Sequence, residues 1–226
     1  METLLEQLIP NVMEKLPELW ECTWQTLYMM GVSGIFSFII GLVIGVVLIA
    51  TRSGGVLQNT WLYSILDKII NLFRSIPFVI LLASLIPLTR AVVGTAIGTK
   101  GAILPLIFGT VPFFSRQVET ALSEVDAGLI EAALAMGTSP VGIIFRVYLK
   151  ESIPALTRVT TITVISLIGL TAMAGAIGGG GLGDFAIRYG HQRRQVDVTY
   201  VTVIILLIIV MILQGIGNLI IKKTTH

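Results

Sequence analysis

An all-α integral membrane protein is predicted by three observations. Hydrophobic residues make up 54% of the 226 positions and charged ones 12%, with a mean hydropathy of +0.91, which exceeds the balance of a soluble domain of this size. The apolar residues gather into runs near the roughly 20 residues that a helix needs to cross the hydrocarbon layer. Between two of those runs, residues 127–150 are patterned instead as a pair of short amphipathic helices that water can tolerate.

The elements follow in chain order. Residues 1–21 read as an interfacial N-terminal helix, because Leu4, Leu5, Leu8, Ile9, Val12, Leu16 and Leu19 recur at helical spacing among acidic residues. A cleaved signal is not indicated, since there is no basic start and no small-residue cleavage site after a short apolar core. Cys22–Thr51 is the first span, with Trp20, Trp24 and Tyr28 suited to an interfacial aromatic belt. Ile69–Leu88 is the second, carrying Arg74 close to one end, from where it can snorkel to phosphates. Gly101–Ser115 is the third. It is free of charge but short, so either the helix extends back past Lys100 or the segment is re-entrant. Val159–Gly183 and Val198–Ile221 complete a set of five. The single cysteine, Cys22, excludes an intramolecular disulfide framework and reads as a packing residue.

Small and bending residues define how such helices meet. Gly34, Gly41 and Gly45 share one face of the first span, and Gly175 and Gly179 repeat that small-residue spacing in the fourth. Thr161, Thr163, Ser166 and Thr171 add hydroxyls there that can bond either backbone or substrate. Pro77, Pro87, Pro105, Pro112 and Pro154 each remove a backbone donor and should bend a helix.

Two glycine motifs do not make a nucleotide site. GTAIGTKG at 94–101 breaks the phosphate-loop pattern at Thr99 and Gly101, and Gly178, Gly180 and Gly183 fit G-x-G-x-x-G without a strand before it or a βαβ unit around it. No metal-ligand spacing and no Ser/His/Asp set is visible, the two histidines being His191 and His226. The chain therefore reads as a non-enzyme without catalytic residues or cofactor of its own. If its work is ATP-driven, the nucleotide site belongs to another polypeptide.

Residues 127–150, AGLIEAALAMGTSPVGIIFRVYLK, form the most informative stretch. Leu129, Ile130, Ala133 and Leu134 make an apolar stripe over Ala127–Met136, Gly137 suits the position past a helix end, and Ser139 with Pro140 reads as N-cap and first helical residue. Ile143, Ile144, Val147 and Tyr148 repeat the stripe, while Arg146 and Lys150 lie one turn apart facing water or headgroups. The expected product is a helix–turn–helix elbow. A connecting amphipathic helix lying on the bilayer is the plainer alternative.

Glu131, Ala132, Ala133 and Gly137 resemble the EAA loop of ABC importer permeases, which docks into a groove on a cytoplasmic ATPase subunit. The family pattern continues nine residues past the glycine with I-x-L-P; here Val147–Lys150 keeps the hydrophobic part and has Lys150 in the place of the proline. FRSIPF at 73–78, IEAALAMGTSP at 130–140 and TAMAGAIGGGGLG at 171–183 resemble the small five-helix type of methionine importer permease, over nearly the whole chain apart from the N-terminal helix. The resemblance implies a single type I importer transmembrane domain over residues 1–226, working as a homodimer with two ATPase subunits that bind ATP and Mg. It also implies an extracytoplasmic binding protein, and no nucleic acid.

That resemblance places residues 116–158 and the C-terminus in the cytoplasm and the N-terminus outside. It assigns ATPase coupling to Glu131, Ala132, Ala133, Gly137, Ser139 and Pro140. Met173, with Thr171 and Ala172 beside it, is the candidate gate; a lipid-facing or core methionine is the plainer alternative. More of the fifteen Lys and Arg residues then fall inside than outside, but Arg188, Arg193 and Arg194 cluster in an outer loop, against the positive-inside trend. A stand-alone secondary carrier would need no such elbow and would place ionisable groups within its spans, where acids are missing here. A permease for another small polar solute is a nearer alternative.

Overall fold

The computed structural model describes residues 8–224, and the described residues are helical with no strand. Leu4 and Leu5 of the expected N-terminal helix lie outside them. Helix α1 (Pro10–Glu14) starts on a proline, which suits a first turn whose donors have no intrahelical partner. Helix α2 (Leu16–Thr51) follows after Lys15. At about 1.5 Å per residue α2 is about 54 Å long, well beyond a hydrocarbon layer of about 30 Å. Residues 16–21 of the expected interfacial helix thus belong to the start of α2. Val12 and Leu19 are buried against Cys22, Leu182, Phe185, Tyr189 and Val198.

The expected second span is not one helix. Helix α3 (Thr60–Ser75) is capped by the Asn59 side chain, which accepts from the Leu62 amide at 3.1 Å. It ends where Ile76 turns extended ahead of Pro77, as the residue before a proline prefers. Helices α4 (Phe78–Ser84) and α5 (Ile86–Val93) then step onward, with Pro87 in the first turn of α5. Pro77 breaks the span rather than bending it, and Arg74 lies in the last turn of α3.

Helix α6 (Gly98–Ser123) decides the question left open at the third span: it extends back past Lys100 and runs through Pro105 and Pro112 without interruption. It also continues beyond Ser115, so Arg116 and Glu119 belong to it. Glu119 is buried there, beyond the charge-free stretch expected as the span. After the elbow, α10 (Ile153–Ala174) carries Pro154 in its first turn and stops nine residues short of the expected Gly183. The chain then kinks at Ile177 and Gly178, where the backbone leaves the helical region, and reverses through Gly180 into α11 (Gly181–Phe185), followed by a π turn, Ala186–His191. Helix α12 (Val196–Thr224) closes the chain. Among the described residues α2, α10 with its following turn, α6 and α12 are long and apolar enough to cross a membrane.

The chain divides into two compact units. One comprises the residues up to Ile35, Pro77–Ile107 and Val164–Leu213. In it, the Gly180–Leu182 reversal is held by two side chains of α2: Gln25 Oε1 accepts from the Gly181 amide and Thr26 Oγ1 from the Leu182 amide, both at 2.8 Å. Gly181 has φ +78° and a side chain there would meet Thr26 Oγ1 at 2.7 Å, so both backbone and space require glycine. Two of the three clustered arginines, Arg188 and Arg193, find partners in the same unit. Arg188 pairs with Glu18 and Asp184 at 2.8 Å each, and Lys15, Arg188 and Arg193 surround the Tyr189 ring.

The other unit comprises Phe36–Ile76, Phe108–Thr163 and the chain from Gln214. Its core joins Ile49 and Ala50 of α2 to Phe114, Val118 and Leu122 of α6 and to the elbow. Two of the predicted glycines make that approach possible: a Cβ on Gly41 would lie 2.7 Å from Phe114 and one on Gly45 2.6 Å from Val118.

Candidate coupling site

The elbow is built from short-range chemistry. Asp126 caps helix α7 (Ala127–Ala135), its carboxylate accepting from the Gly128 amide at 2.6 Å. The helix closes in a left-handed residue, Gly137 at φ +76°, whose amide donates to Leu134 O at 2.9 Å while Thr138 donates to Ala133 O at 3.0 Å. That pairing satisfies carbonyls the helix end would otherwise strand. Ser139 then caps α8 (Pro140–Ile143), accepting from the Gly142 amide at 3.2 Å, with Pro140 in the first helical position. A π turn, Ile144–Tyr148, and α9 (Leu149–Glu151) follow. Glycine, serine and proline thus each do what their positions predicted.

Which apolar residues face inward is sharper than the stripe suggested. Ala133, Ile143, Ile144 and Tyr148 are buried against Ile49, Phe114, Val118 and Leu122, with Ile130 and Val147 packed beside them. Leu129 and Leu134 are turned outward instead, at 47% and 49% exposure. Together with Met136, Val141 and Phe145, at 78%, 57% and 65%, they leave the elbow with an uncovered apolar surface. The α7 register explains this: Ile130 and Ala133 are three apart and share the buried side, whereas Leu129 and Leu134 flank it. Glu131, Ala132, Arg146 and Lys150 are also exposed. Beside the elbow, Glu124, Asp126, Leu129, Glu151 and Arg158 line an open groove of about 380 Å³.

The candidate gate lies elsewhere, on α10. Thr171 is buried and its hydroxyl donates to Ile168 O at 2.7 Å. Met173 is 50% exposed, and Ala172 is half-buried. The other α10 hydroxyls behave like Thr171: Thr161 and Thr163 donate to backbone carbonyls of their own helix. Ser166 is exposed, on one stripe with Gly169, Met173 and Ile177.

Sequence reasoning passed over one polar constellation in the elbow's unit. Tyr63, Asp67 and Asn71 follow one another at intervals of four on α3 and meet Arg116 and Glu119 of α6. The i, i+4 polar stripe was the available signal; its partner lies 49 residues away in the chain.

Residues 37–226 match the family described as the inner membrane component of binding-protein-dependent transport systems. The chain belongs to this family. The match takes in every helix of the elbow and leaves α1 and the first part of α2 outside it. The permease is 45% identical over 204 residues to the probable D-methionine transport system permease protein of Vibrio cholerae, covering 90% of this chain and 91% of that one. It is 48% identical over 217 residues to the methionine import system permease protein of Bacillus subtilis, covering 96% and 97%. Among solved structures, an inward-facing form of the MetNI methionine ABC transporter aligns at a TM-score of 0.92 and 45% identity, over 94% of this permease and 99% of that chain. An amino acid ABC transporter solved with histidines aligns at 0.78 but 16% identity, a likeness of fold alone.

Proposed function

We propose that this permease is the membrane-spanning subunit of an ATP-driven importer that moves methionine, or a close relative, into the cytoplasm. The observation that carries the reading is the elbow: a rigidly capped double helix that packs one side into the unit's core and leaves Leu129, Leu134, Met136, Val141 and Phe145 uncovered. Relatives named for methionine transport supply the substrate class.

In this reading two copies of the chain enclose the pathway, two cytoplasmic ATPase subunits holding ATP and Mg grip the elbows, and an extracytoplasmic binding protein delivers substrate. The N-terminus lies outside and the C-terminus inside. ATP draws the ATPases and their elbows together, and the α6 and α10 helices reopen toward the outside. This works only because ATP favours one conformation over the other. Glu131, Ala132, Ala133, Gly137, Ser139 and Pro140 form the coupling surface and its turn. Met173 is the gate, with Thr171 and Ala172 fixing the helix behind it. The exposed Ser166, Gly169, Met173 and Ile177 stripe faces the second copy.

The test is uptake in proteoliposomes reconstituted with the cognate ATPase. A double substitution, Glu131→Ala with Gly137→Val, is expected to leave the protein inserted and ATP hydrolysis measurable while uptake collapses. Unimpaired uptake would refute the role of the elbow.

A further inference from the structure

Helix α3 is held in an unusual way. Ile70 is the one buried residue of its sixteen, and Trp61, Ile69 and Leu72 are exposed. It follows an open turn through Gly54 and is cut off at Ile76–Pro77. So little buried apolar surface contributes only weakly to holding a helix in place. Beside the half-buried Leu62, Ile65 and Leu66, α3 is tied to its unit by a contact of Phe73 with Phe108 at 5.8 Å and by a polar stripe. Tyr63 donates to Glu119 Oε1 at 3.1 Å. The Arg116 guanidinium donates to Asp67 and to Glu119, one nitrogen to each. Asn71 donates to the second Asp67 oxygen at 3.1 Å.

Arg116 is therefore the joint. It is the cation that meets both acids, and Glu119 is buried, where a carboxylate deprived of its cation is strongly disfavoured. Arg116 also sits on the same length of α6 as Phe114, Val118 and Leu122, against which the elbow packs. A displacement of the elbow that moves this part of α6 must carry α3 with it or break the ion pairs.

We propose that Arg116 is a positioning residue for transport, transmitting elbow movement through α6 to α3 by holding Asp67 and Glu119 together. The inference rests on the importer reading above. Its prediction is loss of coupling rather than loss of assembly.

The experiment compares ATP hydrolysis and methionine uptake in proteoliposomes of the full complex for wild type, Arg116→Met and Asp67→Asn. Uptake per ATP hydrolysed is expected to fall about tenfold in R116M and D67N, the scale on which coupling contacts act. Wild-type uptake per ATP in D67N, or in inserted R116M, would overturn the proposal. Should R116M fail to insert, D67N carries the test alone, because it leaves the Arg116–Glu119 pair in place. A wild-type complex without ATP-driven uptake would fail the importer reading itself, a separate outcome from fully coupled variants.

Discussion

Single residues in this permease are constrained by space and by protonation in ways that separate cleanly. Gly45 and Gly31 are both glycines of α2, yet a Cβ at Gly45 would strike Val118 and the Ser115 carbonyl, whereas one at Gly31 would meet nothing within 4 Å. Gly45→Leu is expected to cost about 1–3 kcal/mol through overpacking, read as a lowered unfolding temperature in detergent. Gly31→Ala is expected to be neutral or stabilising by up to about 1 kcal/mol, because alanine favours the helix over the unfolded chain more than glycine does. Equal melting of the two variants would remove the close-approach argument.

A second residue-scale prediction concerns Tyr189, whose phenol donates to Glu18 at 2.7 Å. That hydrogen bond, together with burial and the Glu18 charge, raises its pKa above the ordinary value. A group that holds its proton more tightly when folded stabilises the fold below the unfolded pKa, about 10 for tyrosine, and loses that contribution as pH rises through the folded value. Thermal stability is expected to fall through that alkaline window in wild type and to show less of this dependence in Tyr189→Phe.

At the scale of elements, turn chemistry was legible and partner choice was not. Gly137, Ser139 and Pro140 specified the elbow because each acts on its own backbone within a few residues, and α12 was visible because a long apolar run needs no partner to be recognised. The second span misled because composition cannot distinguish a proline that bends a helix from one that ends it; the extended Ile76 decides that at Pro77. The elbow's stripe was half right for a related reason. Spacing groups Leu129 with Ile130 and Ala133 with Leu134, but only the position of α6 determines which of each pair is buried. Likewise Tyr63, Asp67 and Asn71 form a visible stripe whose meaning depends on a distant Arg116. The exposed side yields its own prediction: Met136→Asp and Phe145→Asp should each weaken capture of the ATPase subunit in detergent by about tenfold or more, as loss of a central apolar anchor does. Unchanged capture by both variants would place the docking surface elsewhere.

At the scale of the whole molecule, the account requires the elbow to face the cytoplasm, with the N-terminus outside. The Arg188, Arg193 and Arg194 cluster, which that orientation places outside, counts less against it once its partners are considered. Arg188 is committed to Glu18 and Asp184, and Arg193 to the face of Tyr189, so part of the charge is met within the fold. Cys22, the single cysteine of the chain, is buried, so an introduced thiol can be read with little background. Ser139 is exposed at the turn of the elbow. The decisive measurement is labelling of Ser139→Cys with a membrane-impermeant maleimide. The thiol should react in inverted vesicles stripped of ATPase, be shielded when the ATPase is bound, and stay unlabelled in intact cells or spheroplasts. Labelling from the outside of sealed cells would contradict the account, since an elbow on that face could not be driven by a cytoplasmic ATPase.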